Sequence, residues 1–542
     1  MKKYSVGIDY GTLSARAVLV DLENGNEVAE RTHVYPHAVI GDGFFEGIEL
    51  EKTTALQHPQ DYLDALDFTV KGVIADSGVD PSDIVGLGID FTACTVLPVT
   101  EDGTPLCFLD KYKNEPQAYV KLWKHHSAQK EADEITDLAV KKGEPWLDIY
   151  GGKVSSEWMF PKLLEIKRKA PDVYNDAVYY IEAADWLVWL ITGKKTHSSC
   201  LAGYKGLWNA ESGYPSNEFW ANFGLDNVVG TKISENVIPA GSKAGEINEN
   251  GRAMTGLALG TAVASPLIDA HAAFPAAGIA EGGKMLFILG TSACHIIMDE
   301  KDYEINGICG KVRDGIVEGY MAYESGQSGS GDNYDWFIKN CVPERYEIEA
   351  RERGINTFEL MSEKAAALGI GKSGIIALDW FSGSRSPYAD YGLTSMILGL
   401  NLNTKPEEIF RAILECTVFG TKRILDLYEE AGVKVNEVIA SGGIARKNPF
   451  LMQMYADVVG KEIKIAKTTQ AGAKGSAIYG SVAGGYFATM KDAALALSDE
   501  CDIVYTPNAE NTARYAKLYD EYKTLCEYFA KENNVMKRIK NI

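Results

Sequence analysis

Asp9 ends an apolar run and is followed at once by Tyr10-Gly11-Thr12, inside VGIDYGTLSARAVLV (6–20). A carboxylate at the carboxyl end of a strand, beside a turn of small residues, is placed to hold Mg²⁺ directly or through water. Asp before a turn is also a good turn former, which is the plainer reading of the same residue. The turn matters because Gly-Thr and Gly-Ser pairs let backbone N–H groups and hydroxyls surround an anion without side-chain obstruction. The pattern returns as LFILGTSACHIIM (286–298), around Gly290 and Thr291. Two strand–turn–strand units of this kind point to a nucleotide whose phosphates are gripped by two related halves. Arg16, in Ser14-Ala15-Arg16, has the length either to reach a phosphate or to cover the strand with its stem.

Asp269 follows the strand-like VASPLI and precedes the Ala-rich helical run AHAAFPAAG. It reads equally as an N-cap and as a general base at a strand-to-helix switch, and the two roles are compatible. Ser441-Gly442-Gly443 follows another strand-like run, where paired glycines let the backbone approach a flat or charged ligand. No Walker A motif and no GxGxxG in its proper strand–helix setting is present, which disfavours P-loop and Rossmann nucleotide sites.

Strand-like runs alternate with amphipathic ones, the pattern of an α/β protein. Residues 6–9, 17–21 and 84–90 read as strands, with 95–99 continuing the last as a hairpin. Residues 59–77 and 115–142 read as helices. Thr404 followed by Lys405-Pro406 opens a helix with Ile409, Ile413, Thr417, Ile424, Leu425 and Tyr428 as its apolar positions, stopped by Gly432. Asn448-Pro449 opens another, stopped by Gly460. The small-residue segment AKGSAIYGSVAGG (473–485) reads as a helix packed tightly in the core. The stripe Tyr515, Leu518, Tyr519, Tyr522, Leu525 and Phe529 reads as a packing face. A polar stretch giving way to LALGTAVASPLID near 256–264 divides the chain into 1–262 and 263–542.

The 542 residues suit two to four domains. A net charge of −21, from 54 basic and 75 acidic residues, argues against nucleic acid or an anionic membrane as partner. Nine scattered cysteines form no CxxC pair, so neither a zinc site nor a disulfide framework is indicated. The apolar stretch 257–280 is broken by Pro266, Asp269, His271 and Pro275, so no membrane span is expected. A reducing cytoplasm is the expected compartment.

Taken in order, IDYGTLSARA, ILGTSA, ALDWFSGSRSPYAD (377–390) and SGGIARKNPF resemble the phosphate, interdomain and adenosine loops of the FGGY family of carbohydrate kinases. SSEWMFPKLL (155–164), NGICGKV (306–312) and ESGQSGSGDNYDWF (324–337) resemble the branch of it that acts on L-ribulose. The resemblance covers nearly the whole chain. It implies two ribonuclease H-like α/β domains of the actin/hexokinase-like ATPase type with an interdomain cleft. It implies ATP and Mg²⁺ as cofactors, and phosphoryl transfer to the 5-hydroxyl of L-ribulose. By the same resemblance Asp269 is the catalytic base and Asp9 lies near the metal. Gly11, Thr12, Ser14 and Arg16 match the first phosphate loop and Gly290-Thr291 the second. Gly331, Gly442, Gly443 and Asn448 fall around ribose and base, and a homodimer is expected. Sugar-binding positions fall on Ala93, Lys205, Asp269 and Glu324. Without the resemblance, Lys205 and Glu324 read as a surface lysine and a solvated acid.

Two departures stand out. Glycerol kinase places Arg-Glu, and xylulokinases usually Met-His, where this chain has Ala93-Cys94, which implies a different or roomier sugar pocket. Leu13 stands where many relatives carry a hydroxyl. Rival readings are an FGGY kinase for D-ribulose or D-xylulose and, more remotely, an actin-like ATPase that is not a kinase.

Overall fold

The computed structural model describes residues 2–540 other than 42, 469 and 500. The chain forms two compact units, each threaded from several stretches. The first comprises Met1–Glu281, Lys311–Ala322 and Gln470–Asp499, the second Gly282–Gly310, Tyr323–Thr469 and Glu500–Ile542.

The first unit is built on a seven-stranded sheet. Lys243–Glu246, Ala262–Ala264, Ile84–Phe91, Tyr4–Tyr10, Ser14–Asp21 and Glu27–Val34 are neighbours in that order, and Leu267–Ile268 also pairs with Ile84–Phe91. Tyr4–Tyr10 and Ile84–Phe91 run parallel at its centre, and both read as continuous apolar runs because both faces are covered. The helix Ala471–Ala483 lies on these two strands. Gly7, Gly86 and Gly88 permit this, since a Cβ at any of them would overlap the helix backbone. The core-helix reading of 473–485 is thereby met, with the helix serving the N-terminal sheet.

Helix Pro59–Ser77 has the bounds its pattern predicts. The His58 ring accepts the Gln60 N–H (3.2 Å), Pro59 starts the helix, and Gly78 ends it at φ 65°. The expected helix over 115–142 is instead Gln129–Lys142 alone. Glu115 caps a short turn at Pro116–Ala118, and Val120–Lys121 is drawn into a second sheet. The expected hairpin at 95–99 is also overturned. Val96–Val99 joins that second sheet, in the order Tyr179–Glu182, Val96–Val99, Val120–Lys121, Leu56–Gln57. The reason is that Ile84–Phe91 already has neighbours on both sides and offers no free edge to a hairpin.

In the second unit Ala293–Asp299, Lys284–Leu289, Glu437–Ser441, Ile463–Ile465 and Ile503–Tyr505 are neighbours in that order. Helix Pro406–Glu430 buries Ile413, Thr417, Ile424, Leu425 and Tyr428 as its pattern predicts, while Ile409, in its first turn, is only half-buried. Its N-cap is Lys405; the Thr404 hydroxyl accepts the Asn401 N–H instead (2.9 Å). Asn448 caps Pro449–Val459 by accepting the Leu451 N–H (3.0 Å), and Gly460 closes it at φ 72°. Along Ala509–Glu527, Tyr515, Tyr519, Tyr522 and Cys526 are buried, and the three tyrosines pack on Phe419. Among the described residues no helix is long and apolar enough to cross a membrane, and no disulfide joins any of the cysteines.

Candidate active site

Asp9 lies within the first strand, not in the turn, so the turn-former reading gives way. The register sets it opposite Arg16 on one neighbour and beside Asp90 on the other. Asp90 is fully buried. Its Oδ2 accepts the Ser476 hydroxyl (2.7 Å), and its Oδ1 has no hydrogen-bond donor. Both carboxyls face Gly472, where a Cβ would lie 3.1 Å from Asp9 Oδ2 and 3.2 Å from Asp90 Oδ1. Burial raises the Asp9 pKa, while a hydrogen bond from the Asp90 carboxyl, when a proton sits between the two, and the Arg16 charge pull it back. Asp90 is raised well above the usual carboxylate range, first by burial and then by the Asp9 and Asp269 charges. Such a pair of oxygen ligands with one orphaned acceptor fits a hard divalent cation that takes the rest of its shell from phosphate and water. Among the described residues no group of three or more His, Cys, Asp or Glu could hold a metal. Arg16 gives its Nε–H to the Thr32 hydroxyl (3.0 Å) and an Nη1–H to Gln470 Oε1 (2.5 Å).

Asp90 and Ser476 are absent from the sequence reading. A signal for Asp90 exists: Gly-Ile-Asp at 88–90 repeats Gly-Ile-Asp at 7–9. Only the parallel register makes the two carboxyls neighbours.

Asp269 is half-buried and is the first residue of helix Asp269–Ala276, one position past the expected N-cap. Its Oδ1 accepts the Ala270 N–H (2.7 Å). Strand Leu267–Ile268 delivers it from the same sheet edge that pairs with Asp90 and Phe91. Ala93 is half-buried in the turn leaving Ile84–Phe91. Lys205 ends helix Ser199–Lys205 half-buried, and its charge is felt at Cys94, Glu182 and Tyr150. Asp9, Arg16, Ala93, Lys205 and Asp269 thus all belong to the first unit. Glu324 is buried in strand Met321–Gln327, at a position that belongs to the second. Neither Lys205 nor Glu324 is the solvated surface charge its sequence setting suggested.

In the first turn the Gly11 N–H bonds the Ser14 carbonyl (3.0 Å), which folds the chain tightly between the strands. Trp123 Nε1–H donates to the Thr12 hydroxyl (3.1 Å), and Gln57 holds the Thr12 carbonyl (2.7 Å). In the second unit the Gly290 N–H bonds the Ser292 carbonyl (3.0 Å), and Thr291 is exposed at the turn. The Gly331 N–H donates to the Gly290 carbonyl (2.9 Å), and a Cβ on Gly331 would crowd that carbonyl at 2.8 Å. Gly442 takes φ 101° with its α-carbon against Leu289, and Gly443 beside it is open. Gly290, Thr291, Gly331, Gly442 and Gly443 therefore gather around the end of strand Lys284–Leu289, where small residues leave backbone groups uncovered by side chains. Asn448 is buried, donating to the Ser362 hydroxyl (3.4 Å).

A sheet ending in carboxylates in one unit and a glycine-lined strand end in the other are the parts of an ATP-dependent phosphotransferase. Models of the FGGY family of carbohydrate kinases match the chain, the N-terminal domain over residues 4–274 and the C-terminal domain over 285–484, and the chain belongs to that family. It is 48% identical to the ribulokinase of Bacillus licheniformis over 98% of this chain and 97% of that one. It is 39% identical to a Staphylococcus aureus ribulokinase over 99% of each. Among solved structures, the xylulose kinase of Rhodospirillum rubrum shares the fold at a TM-score of 0.80 and 19% identity, covering 97% of this chain and 99% of that one. Plasmodium falciparum glycerol kinase with ADP does so at 0.76 and 17% identity, covering 97% and 98%.

Proposed function

We propose that this chain is a ribulokinase, transferring the γ-phosphoryl group of ATP to the 5-hydroxyl of L-ribulose. The observation that carries this reading is full-length similarity, at 39–48% identity, to relatives that are all ribulokinases. The placement of Asp269 beside the Asp9–Asp90 pair is consistent with it.

In this mechanism Asp269 accepts the proton of the attacking hydroxyl as the oxygen bonds to phosphorus. Its bond to the Ala270 N–H holds the carboxylate in a fixed rotamer. Ala93, Lys205 and Glu324 orient the sugar, with Lys205 donating to a hydroxyl and Glu324 accepting from one. The Gly11-Thr12 and Gly290-Thr291 turns bring N–H and hydroxyl donors to the phosphates, so developing charge meets dipoles already in place. Gly331, Gly442, Gly443 and Asn448 receive the nucleoside. Asp9, with Asp90 behind it, would hold Mg²⁺, which neutralises charge on the β- and γ-phosphates when bound. Nine cysteines without a disulfide among them fit a reducing cytoplasm, and a homodimer is the expected assembly.

The deciding experiment is a coupled ADP-release assay over L-ribulose, D-ribulose, D-xylulose and glycerol, with ³¹P–¹³C NMR of the product. L-Ribulose is expected to give the highest kcat/KM and a phosphate on O5. A higher kcat/KM for D-ribulose or D-xylulose would replace the substrate while keeping the family; no sugar-dependent turnover would remove the kinase reading.

A further inference from the structure

The sugar position Ala93 sits in a turn that is strained and held by a buried cation. Between Ile84–Phe91 and Val96–Val99 the chain leaves one sheet for another in four residues, 92–95. Cys94 takes φ 54°, a left-handed conformation that is strained for a residue with a Cβ. Cys94 is buried, so its conformation is not a solvent-facing accident. Local bonds tighten the turn: the Thr95 hydroxyl donates to the Thr92 carbonyl (2.8 Å), and the Thr92 N–H to the Tyr10 carbonyl (3.0 Å).

What holds the inverted residue is Lys162. Its ammonium donates to the Cys94 carbonyl (2.5 Å) and the Leu122 carbonyl (3.0 Å), and approaches the Lys121 carbonyl at 3.4 Å. Lys162 is wholly buried on helix Met159–Lys169, and among the described residues it makes no ion pair. Burial disfavours the cation and lowers the Lys162 pKa, with the Glu182 and Glu157 charges opposing, and a methionine would fill the same space without that cost. All three ammonium hydrogens are spent on backbone, which fixes the position of a main chain, not of a side chain. On the far side the Thr95 N–H lies against the Glu182 carboxylate, and Lys205 acts electrostatically on both Glu182 and Cys94.

We propose that Lys162 is a positioning residue for the sugar: it clamps the strained Cys94 peptide and thereby sets the wall that Ala93 presents to the substrate. This rests on the proposed reading of Ala93 as a sugar-binding position. The small pair Ala93-Cys94 can define a pocket only if its backbone is fixed, because neither side chain is long enough to reach a sugar by reorienting. The clamp supplies that fixity from outside the pocket.

The test is steady-state kinetics of the full-length enzyme with L-ribulose and MgATP varied separately, alongside ADP affinity by calorimetry. Lys162→Met is expected to raise the KM for L-ribulose about tenfold or more while the KM for ATP and the ADP affinity stay within about twofold, as small displacements of a substrate wall do. Cys94→Gly added to Lys162→Met is expected to recover much of that loss, because glycine adopts φ 54° without a clamp. A buried lysine that only stabilised the domain would move both KM values together or neither, and Cys94→Gly would rescue nothing; either result overturns the proposal. If Lys162→Met is insoluble, Cys94→Val decides: a β-branched residue in this conformation should raise the KM for L-ribulose alone, and an unchanged value overturns the clamp. Ala93→Leu separates the two layers. Should it raise the sugar KM while Lys162→Met does not, the clamp falls and the Ala93 reading stands; should it change nothing, both fall.

Discussion

Asp269 and Glu182 are both acidic residues of the first unit, and their settings assign them different work. Asp269 is half-buried at the start of a helix, with one oxygen on its own turn, and its charge is felt at Asp90. Removing a positioned general base costs roughly 10²–10⁴ in rate. Asp269→Asn should therefore lower kcat by that factor while ADP affinity by calorimetry is retained, and a variant with wild-type kcat would end its role as base. Glu182 is buried, its Oε1 lacks a donor, and its pKa is pushed from 4.5 up to about 7, chiefly by burial, with Lys162, the Thr95 N–H and Lys205 opposing. Between these values the native state binds a proton that the unfolded chain has released, so stability falls as pH rises through that window, by on the order of 3 kcal/mol. Glu182→Gln keeps an acceptor for the Thr95 N–H and does not titrate. Its melting temperature relative to the native enzyme should climb from pH 5 to pH 8; a difference independent of pH would show that Glu182 is ionised in the folded protein throughout.

At the scale of elements, the packing of helix Ala471–Ala483 on Tyr4–Tyr10 and Ile84–Phe91 determines where the chemistry sits. The helix carries Ser476 to Asp90 and Gly472 to both carboxyls, and it comes that close only because Gly7 and Gly88 have no side chains. Gly88→Ala drives a methyl into the Ser476 carbonyl, which should cost about 3 kcal/mol, the upper end for overpacking a core. The same displacement pulls the Ser476 hydroxyl from Asp90, so a denaturant melt and kcat should both fall. Loss of stability with kcat intact would show that the helix only fills space. The individual strands and caps here are legible in sequence: Pro59 after His58, Asn448 before Pro449 and the two Gly-Thr turns each state their own geometry locally. What is not legible is which strand accepts which. Val96–Val99 follows closely enough to read as a hairpin partner, yet Ile84–Phe91 has no free edge, a fact decided by residues 4–10 and 262–268. Asp90 was missed for the same reason, because its meaning lies in a parallel register with Asp9 across 80 residues of chain. Lys162 lies inside a family-like string, but nothing in a sequence says that a lysine points at backbone.

Over the whole molecule the order of the chain and the order of the fold diverge. The sheet that bears Asp9, Asp90 and Asp269 is written in the first half of the sequence, but its covering helix is not made until residues 471–483. That helix is buried around nearly its full circumference, from Ala473 to Ser481, as an element at the centre of a unit must be. Its Tyr479 hydroxyl donates to the Ile316 carbonyl (2.8 Å), and Lys474 pairs with Asp499 (2.9 Å), so it ties the stretch 311–322 and the end of its own stretch to the sheet. Contacts of such long sequence separation form late, after loop closure has been completed at entropic cost. An N-terminal fragment therefore keeps the strands and loses their cover, exposing the glycine-floored faces of Tyr4–Tyr10 and Ile84–Phe91. A chain ending at residue 281 should show no cooperative transition in a circular-dichroism melt and should elute as aggregate. Joining residues 311–322 and 470–499 to that fragment through flexible linkers should restore both a cooperative melt and a monomeric elution volume, because all the surfaces of the unit are then present. If residues 1–281 alone melt cooperatively as a monomer, the late helix is an addition to a finished core, and the Asp9–Asp90 pair must owe its geometry to the strands alone.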